Sequence, residues 1–225
     1  MLKIGHRGAK AYIAENTLES INKAFSLGVN AIEIDVHKCA TGEIVVFHDF
    51  TLNRMTNGNG ELASFPFSYL KTLRVDNQFL IPTLQDVLDV IPDKGLINIE
   101  LKGRNTAAGV AKIIGDYIKS GRLGNEQIIV SSFQKTELQD IAKLNPELQL
   151  AILTQASVTE ALSFAKEINA FAIHPNYTLL TRANVLKAKN LGLKVITWTV
   201  NDPNDIENIK DLEVDGIISD YPDRL

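Results

Sequence analysis

Residues 31–36, Ala31-Ile32-Glu33-Ile34-Asp35-Val36, alternate between apolar and acidic side chains. In an extended strand successive side chains point to opposite faces, so Ile32, Ile34 and Val36 share one face and Glu33 and Asp35 the other. Such a stretch reads either as a half-solvated strand or as a barrel strand with helices over its apolar face and carboxylates in the interior. The rest of the chain selects the second reading. Strand-like apolar runs recur at residues 2–5, 31–36, 97–101, 127–131, 148–153, 170–173, 193–199 and 216–218. Amphipathic segments alternate with them, starting near Asn16, Thr83, Thr106, Gln134, Ser157, Leu180 and Asp202. Asn16-Thr17-Leu18-Glu19 has capping-box spacing with Asn16 as the cap, and Pro203 suits a first helical turn. Eight βα-like repeats without a Gly-x-Gly-x-x-Gly fingerprint predict an α/β fold, a closed (β/α)8 TIM barrel.

Connections are short except after the second strand. There a Gly42-Glu43 turn leads into Ile44 to Phe47, followed by the loop Asn57-Gly58-Asn59-Gly60. Residues 1–225 are therefore expected to form one barrel domain with an insertion at about 49–82, rising over the C-terminal face that carries active sites in such barrels.

Composition narrows the function. Of 225 residues, 23 are Lys or Arg and 27 are Asp or Glu, a net charge of −4 with no basic run. That balance argues against nucleic acid and anionic membrane surfaces as general partners. No stretch approaches the ~18 apolar residues of a membrane span. The single Cys39 excludes an intrachain disulfide and suits a reducing compartment. With no basic segment leading into an apolar one at Met1-Leu2-Lys3-Ile4, the chain reads as cytoplasmic.

In a barrel, polar residues at the C-terminal strand ends converge. Those residues are His6-Arg7-Gly8, then Glu33 and Asp35, His48-Asp49, Glu100 with Lys102 two positions on, and Trp198-Thr199 with Asn201 beyond. Three carboxylates in one mouth repel one another by several kcal/mol per pair as an order of magnitude, so positive charge must sit among them. Arg7 and Lys102 can supply it, and an all-oxygen donor set on neighbouring strands is what a hard divalent cation, Mg²⁺ or Ca²⁺, requires. His6 and His48 each end an apolar run. Beside a carboxylate trio and an arginine, they read as a proton donor and acceptor for cleaving a phosphate ester, with Arg7 as a fork and Lys102 as a point charge on the phosphate. Gly8 is expected to let the backbone approach a ligand closely. Both cations have an alternative use as ion-pair partners of the carboxylates.

These residues carry a resemblance. His6-Arg7-Gly8, Glu15-Asn16-Thr17, Glu33-Ile34-Asp35-Val36, Val46-Phe47-His48-Asp49, the Leu52-to-Gly60 loop, Ile81-Pro82-Thr83-Leu84 and Glu100-Leu101-Lys102 resemble the glycerophosphodiester phosphodiesterase family. Ser132-Phe133, Trp198-Thr199-Val200-Asn201 and the closing Asp215-to-Pro222 stretch continue the match in the same order. The resemblance implies a metal-dependent barrel enzyme of the cytoplasmic bacterial type that splits small-molecule glycerophosphodiesters into sn-glycerol 3-phosphate and an alcohol. It implies Glu33, Asp35 and Glu100 as ligands of one divalent cation and His6 and His48 as the acid/base pair. It implies substrate binding by Arg7, Lys102, Glu15, Phe133 and Trp198. The attacking group is either water or the glycerol 2-hydroxyl.

The sequence departs from the family pattern in three places. Ala14 stands where Pro usually precedes Glu-Asn-Thr, and His37 and Thr41-Gly42 replace an apolar residue and an Asp-Gly turn. His37 is either a partner of the carboxylates, if the strand persists, or a solvated turn residue. His174, ending the sixth run, either lines the pocket or is a satisfied structural histidine. Two other functions fit less of the sequence. One is a lysophospholipase D, for which Leu62, Phe65, Phe67, Tyr69 and Leu70 offer either an acyl channel or merely the insertion's own core. The other is a catalytically silent barrel that binds a phospho-ligand.

Overall fold

The computed structural model describes residues 1–225. Eight parallel strands form a ring: β1 (Leu2–His6), β2 (Ala31–Lys38), β4 (Leu96–Leu101), β5 (Ile128–Ser132), β6 (Gln149–Thr154), β7 (Ala172–Pro175), β8 (Lys194–Thr197) and β9 (Gly216–Ser219). β1 pairs with both β9 and β2, so the sheet closes on itself as a (β/α)8 barrel. β3 (Ile44–Val46) lies outside the ring, antiparallel to the C-terminal end of β2.

Period-two alternation sorts every strand. Outward residues such as Ile32, Ile34, Ile97, Ile99 and Val130 pack with Ile21, Val110 and Leu138 of the surrounding helices. Those helices are α1 (Leu18–Ser26), α3 (Leu84–Val90), α4 (Ala107–Lys119), α5 (Lys135–Leu144), α6 (Val158–Glu167), α7 (Arg182–Asn190) and α8 (Pro203–Lys210). Each fully buried Ile or Leu is worth about 1.5–3 kcal/mol, so this outer layer supplies most of the hydrophobic stabilisation. The interior splits by height. Ile4, Ala31, Ile129, Ala151, Ala172, Ile196 and Ile218 form an apolar floor. Above it β1, β2 and β4 carry His6, Glu33, Asp35, Asn98 and Glu100, and register places His6 beside Glu33, Glu33 beside Asn98 and Asp35 beside Glu100.

Two helix starts depart from simple capping. α1 is capped by Thr17, whose hydroxyl accepts from the Ser20 amide, and not by Asn16. Asn16 adopts a left-handed φ of 59° and is drawn into the barrel by Asp35. α4 has no cap of its own. Glu137, in the first turn of α5, accepts hydrogen bonds from the amides of Asn105, Thr106 and Ala107 and from the Thr106 hydroxyl. This carboxylate satisfies donors that a helix start leaves unpaired. Pro203 occupies the first turn of α8, behind an Asp202 cap.

The insertion between β3 and α3 includes a single-turn helix, α2 (Phe67–Leu70), and closes its own small core. Leu62 and Leu70 are fully buried there, Phe65 and Phe67 pack against it, and Tyr69 lies over Phe65 at 4.7 Å. Leu62 and Leu70 thus belong to the insertion's own core.

Candidate active site

The C-terminal mouth holds a cavity of about 330 Å³ lined by His6, Arg7, Glu33, His48, Asn98, Glu100, Lys102, Phe133 and Trp198, among others. Strand pleat alone aims Glu33 and Asp35 inward from β2 and Glu100 from β4. Closure of the ring then brings an oxygen of each to within 4.8 Å of the others. Two oxygens bound to one Mg²⁺ or Ca²⁺ at about 2.0–2.6 Å lie no more than roughly 5 Å apart, so the trio fits a single hard cation.

The charge balance points the same way. Arg7 Nε lies 3.2 Å and Lys102 Nζ 3.7 Å from Asp35, and Lys102 donates to Glu100 at 3.0 Å. Two cations against three carboxylates leave one negative charge in a buried site. Burial, with repulsion from Asp35 and Glu100, pushes the Glu33 carboxyl well above the usual carboxylate range. Burial and Asp35 push Glu100 up to about 7. Asp35 goes the other way: burial opposes its charge, yet Arg7, His48, Lys102 and the Asn16 amide hold its carboxyl below the usual value. Adding a divalent cation would leave one net positive charge, matching a phosphodiester monoanion.

The β1–α1 loop wraps this trio. Arg7 and Gly8 both take left-handed φ, 51° and 85°. The turn points the Arg7 amide at Glu33 (3.0 Å) and its carbonyl at the Asn16 amide (3.0 Å) and the Ser20 hydroxyl (3.1 Å). A Cβ on Gly8 would lie 2.5–2.7 Å from Ser20 atoms. The glycine therefore lets the loop seat on α1, which corrects the expectation that it serves a ligand.

Each cavity histidine has an aspartate on its inner ring nitrogen. His6 Nδ1 lies 2.5 Å from Asp220 Oδ1, and His48 Nδ1 lies 2.6 Å from Asp49 Oδ1. Both aspartates are held below their usual pKa despite some burial, Asp220 chiefly by His6 and Asp49 chiefly by Arg54. An ionised carboxylate only accepts, so Nδ1 is the donor in each pair and the neutral ring keeps its Nε2 lone pair free. Burial lowers the pKa of both imidazoles, against the pull of Asp220 on His6 and of Asp35 on His48. Asn201 steadies Asp220 by donating to its carboxylate at 2.9 Å. Arg54 grips Asp49 through Nε and Nη2 at 2.6 and 2.8 Å and also donates to Glu15.

The sequence-derived residues thus gather at one mouth, with qualifications. Glu15 is outside the cavity lining: its Oε1 accepts from both Arg7 (2.8 Å) and Arg54 (2.7 Å). Phe133 and Trp198 meet edge to face at 5.6 Å on the rim, and Trp198 donates to the His174 carbonyl. His37 is no solvated turn residue, because β2 persists to Lys38 and buries it. His174 is fully buried outside the cavity lining with neither ring nitrogen partnered, and burial lowers its pKa to about 3. Asp220, Asn16, Arg54 and Asn98 were not singled out as site residues from sequence. Asp220, Asn16 and Arg54 stand within the motifs that carry the family resemblance, but no spacing pairs them with His6, Asp35 or Asp49.

Residues 6–224 match the sequence profile of the Glycerophosphoryl diester phosphodiesterase family. A glycerophosphodiester phosphodiesterase of Caldanaerobacter subterraneus subsp. tengcongensis is 35% identical over 233 residues, covering 100% of this chain and 96% of that protein. One from Bacillus altitudinis is 33% identical, covering 100% and 96%. Among solved structures, an Oleispira antarctica phosphodiesterase in complex with the product sn-glycerol-3-phosphate matches with a TM-score of 0.90 at 27% identity, over 98% of this chain and 93% of that one. A glycerophosphodiester phosphodiesterase of Thermotoga maritima matches at 0.83 and 28% identity, over 99% and 96%. No helix here is long and apolar enough to cross a membrane.

Proposed function

The chain belongs to the glycerophosphodiester phosphodiesterase family and is a phosphoric diester hydrolase, and on that footing we propose that it cleaves glycerophosphodiesters by histidine acid/base catalysis beside one divalent cation. The products are sn-glycerol 3-phosphate and an alcohol. The observation that carries this reading is the pair of aspartate-braced histidines lining one cavity with Glu33 and Glu100, which Asp35 joins to complete the carboxylate trio.

Glu33, Asp35 and Glu100 would hold the cation, Mg²⁺ or Ca²⁺, which when bound would supply Lewis-acid polarisation. One histidine takes a proton at Nε2 from the attacking oxygen while the other, protonated, donates to the leaving alcohol oxygen. Attack by water gives sn-glycerol 3-phosphate directly, and attack by the glycerol 2-hydroxyl gives a cyclic phosphate that a water then opens in a second, reversed proton transfer. Lowered pKa values keep the base form available near neutral pH, and the braced Nδ1–H fixes each ring's orientation. Arg7 offers its guanidinium to two non-bridging phosphate oxygens and Lys102 adds a point charge. Glu15 serves the substrate through Arg7, which it orients. Phe133 and Trp198 form an apolar wall for the alcohol group. We place the reaction in the cytoplasm, where a lone buried Cys39 stays reduced.

Turnover of glycerophosphocholine, glycerophosphoethanolamine and lysophosphatidylcholine, with and without chelator, tests this. Chelator-sensitive release of glycerol 3-phosphate from the first two is expected. Preference for the lysolipid would shift the assignment to a lysophospholipase D, and binding of glycerol 3-phosphate without any turnover would mark a silent barrel.

A further inference from the structure

His37 lies on the inward side of β2 with Glu33 and Asp35, but beyond the barrel mouth, and the proposed chemistry does not use it. Its Nε2 is 3.1 Å from the carbonyl oxygen of His48. A carbonyl only accepts, so Nε2–H donates. His48 stands two residues past the end of β3, just after the Phe47 amide makes the last main-chain bond to β2, to the Asp35 carbonyl at 2.9 Å, and no main-chain group bonds either the N–H or the C=O of His48 itself. The His37 side chain therefore makes the only hydrogen bond to the His48 backbone.

The donor itself is clamped. The His37 ring meets Phe50 edge to face at 5.1 Å, and it packs so closely on Gly103 that a Cβ there would lie 2.9 Å from Nδ1. The Gly103 amide in turn bonds the Val36 carbonyl at 3.0 Å, tying that contact back to β2. Little of the ring reaches solvent.

From this geometry we infer that His37 is a positioning residue. Beyond the Phe47–Asp35 bond it fixes the height of the His48 carbonyl relative to β2, so that this acid/base histidine and two of the three carboxylates, Glu33 and Asp35, are set from one strand. The inference rests on the catalytic role proposed above for His48. Its physical basis is that a loop histidine displaced by about 1 Å loses on the order of a hundredfold in rate.

The test compares His37→Leu with His37→Gln, whose amide N–H falls near the Nε2 position. His37→Leu should lower kcat by about tenfold or more while KM stays within about twofold, and His37→Gln should recover most of the loss. If the leucine variant fails to fold, His37→Asn replaces it, since its shorter side chain cannot reach the carbonyl. A readout independent of turnover is the nuclear magnetic resonance signal of the Nδ1–H proton that His48 shares with Asp49. It should move or broaden in His37→Leu and return in His37→Gln. A kcat near wild type in the leucine variant, a glutamine variant no better than leucine, or an unmoved His48 signal would each overturn the inference. Absence of turnover in the unmodified chain would instead remove the enzymatic reading, leaving the His48 signal to decide the positioning role.

Discussion

His6 and Asp220 lie 214 residues apart in the chain and share a hydrogen bond of 2.5 Å at the barrel mouth. Their meeting follows from ring closure, because β1 pairs with β9 in parallel and both strands deliver their C-terminal residues to the same rim. The Asp220 carboxylate favours the imidazolium form of His6, against the burial that disfavours it.

Asp220→Asn removes that favourable charge, so the His6 pKa should fall further and the limb of the kcat–pH profile that reports it should move to lower pH. A fall in kcat of roughly 10²–10⁴-fold is expected from the lost orientation and proton affinity. A pH-rate profile that superimposes on wild type would detach Asp220 from the mechanism.

The Asp49–Arg54 fork predicts a second effect at His48. Arg54→Lys cannot reproduce two parallel bonds to one carboxylate together with a bond to Glu15. We expect kcat to fall about tenfold with cation affinity unchanged. Calorimetric titration of the cation separates the two readouts, and a joint loss would show that Arg54 supports the whole site.

The raised carboxyls of Glu33 and Glu100 make cation binding a competition with protons. Because the cation needs the ionised forms and Glu100 titrates near 7 without it, affinity should rise as pH goes from 6 to 8, with protons released on binding at pH 7. Repeating the calorimetry in buffers of different ionisation enthalpy counts those protons. A pH-independent affinity would refute the trio as ligands, as would full activity after exhaustive chelation. Glu33→Gln and Glu100→Gln should each weaken binding.

Arg7 and Lys102 are tested with the product. Arg7→Lys should already weaken sn-glycerol 3-phosphate binding, since an ammonium cannot supply the fork, and Lys102→Ala should lower kcat/KM. Product affinity equal to wild type in both variants would leave the cations as ion-pair partners of the carboxylates only.

His174 is expected to contribute to the loss of stability in acid. Its folded pKa, about 3, lies below the unfolded value of 6.5, so between these pH values the unfolded chain binds more protons. The stability linked to His174 is therefore complete above pH 6.5 and is lost as pH falls toward 3. From pH 6.5, where the unfolded imidazole is half protonated, to pH 5 the loss is about 1.6 kcal/mol, the slope approaching 1.36 kcal/mol per pH unit as protonation of the unfolded chain completes. Urea unfolding of chelated wild type and His174→Leu at both pH values should show the variant losing about that much less. Equal losses would mean the imidazole is not held neutral.

What sequence alone determined is whatever a fixed local period controls. Alternation in β2 assigned Glu33 and Asp35 to one face because the pleat repeats every two residues, and the eightfold recurrence of strand and helix left few ways to bury both faces of each strand. The tertiary structure decided the partners. Asn16 reads locally as a helix cap, yet Asp35 offers it two hydrogen bonds and Thr17 takes over the cap. Thr106 reads as a helix start, but the carboxylate that satisfies it comes from Glu137 in the next helix. His37 reads either as a partner of the carboxylates or as a turn residue; β2 persists past it and the loop after β3 gives it the His48 carbonyl instead. Each of these contacts spans residues whose separation carries no period. It exists because closing the ring fixes the strand ends in space and buried polar groups then bond to whatever donor or acceptor that closure brings within reach.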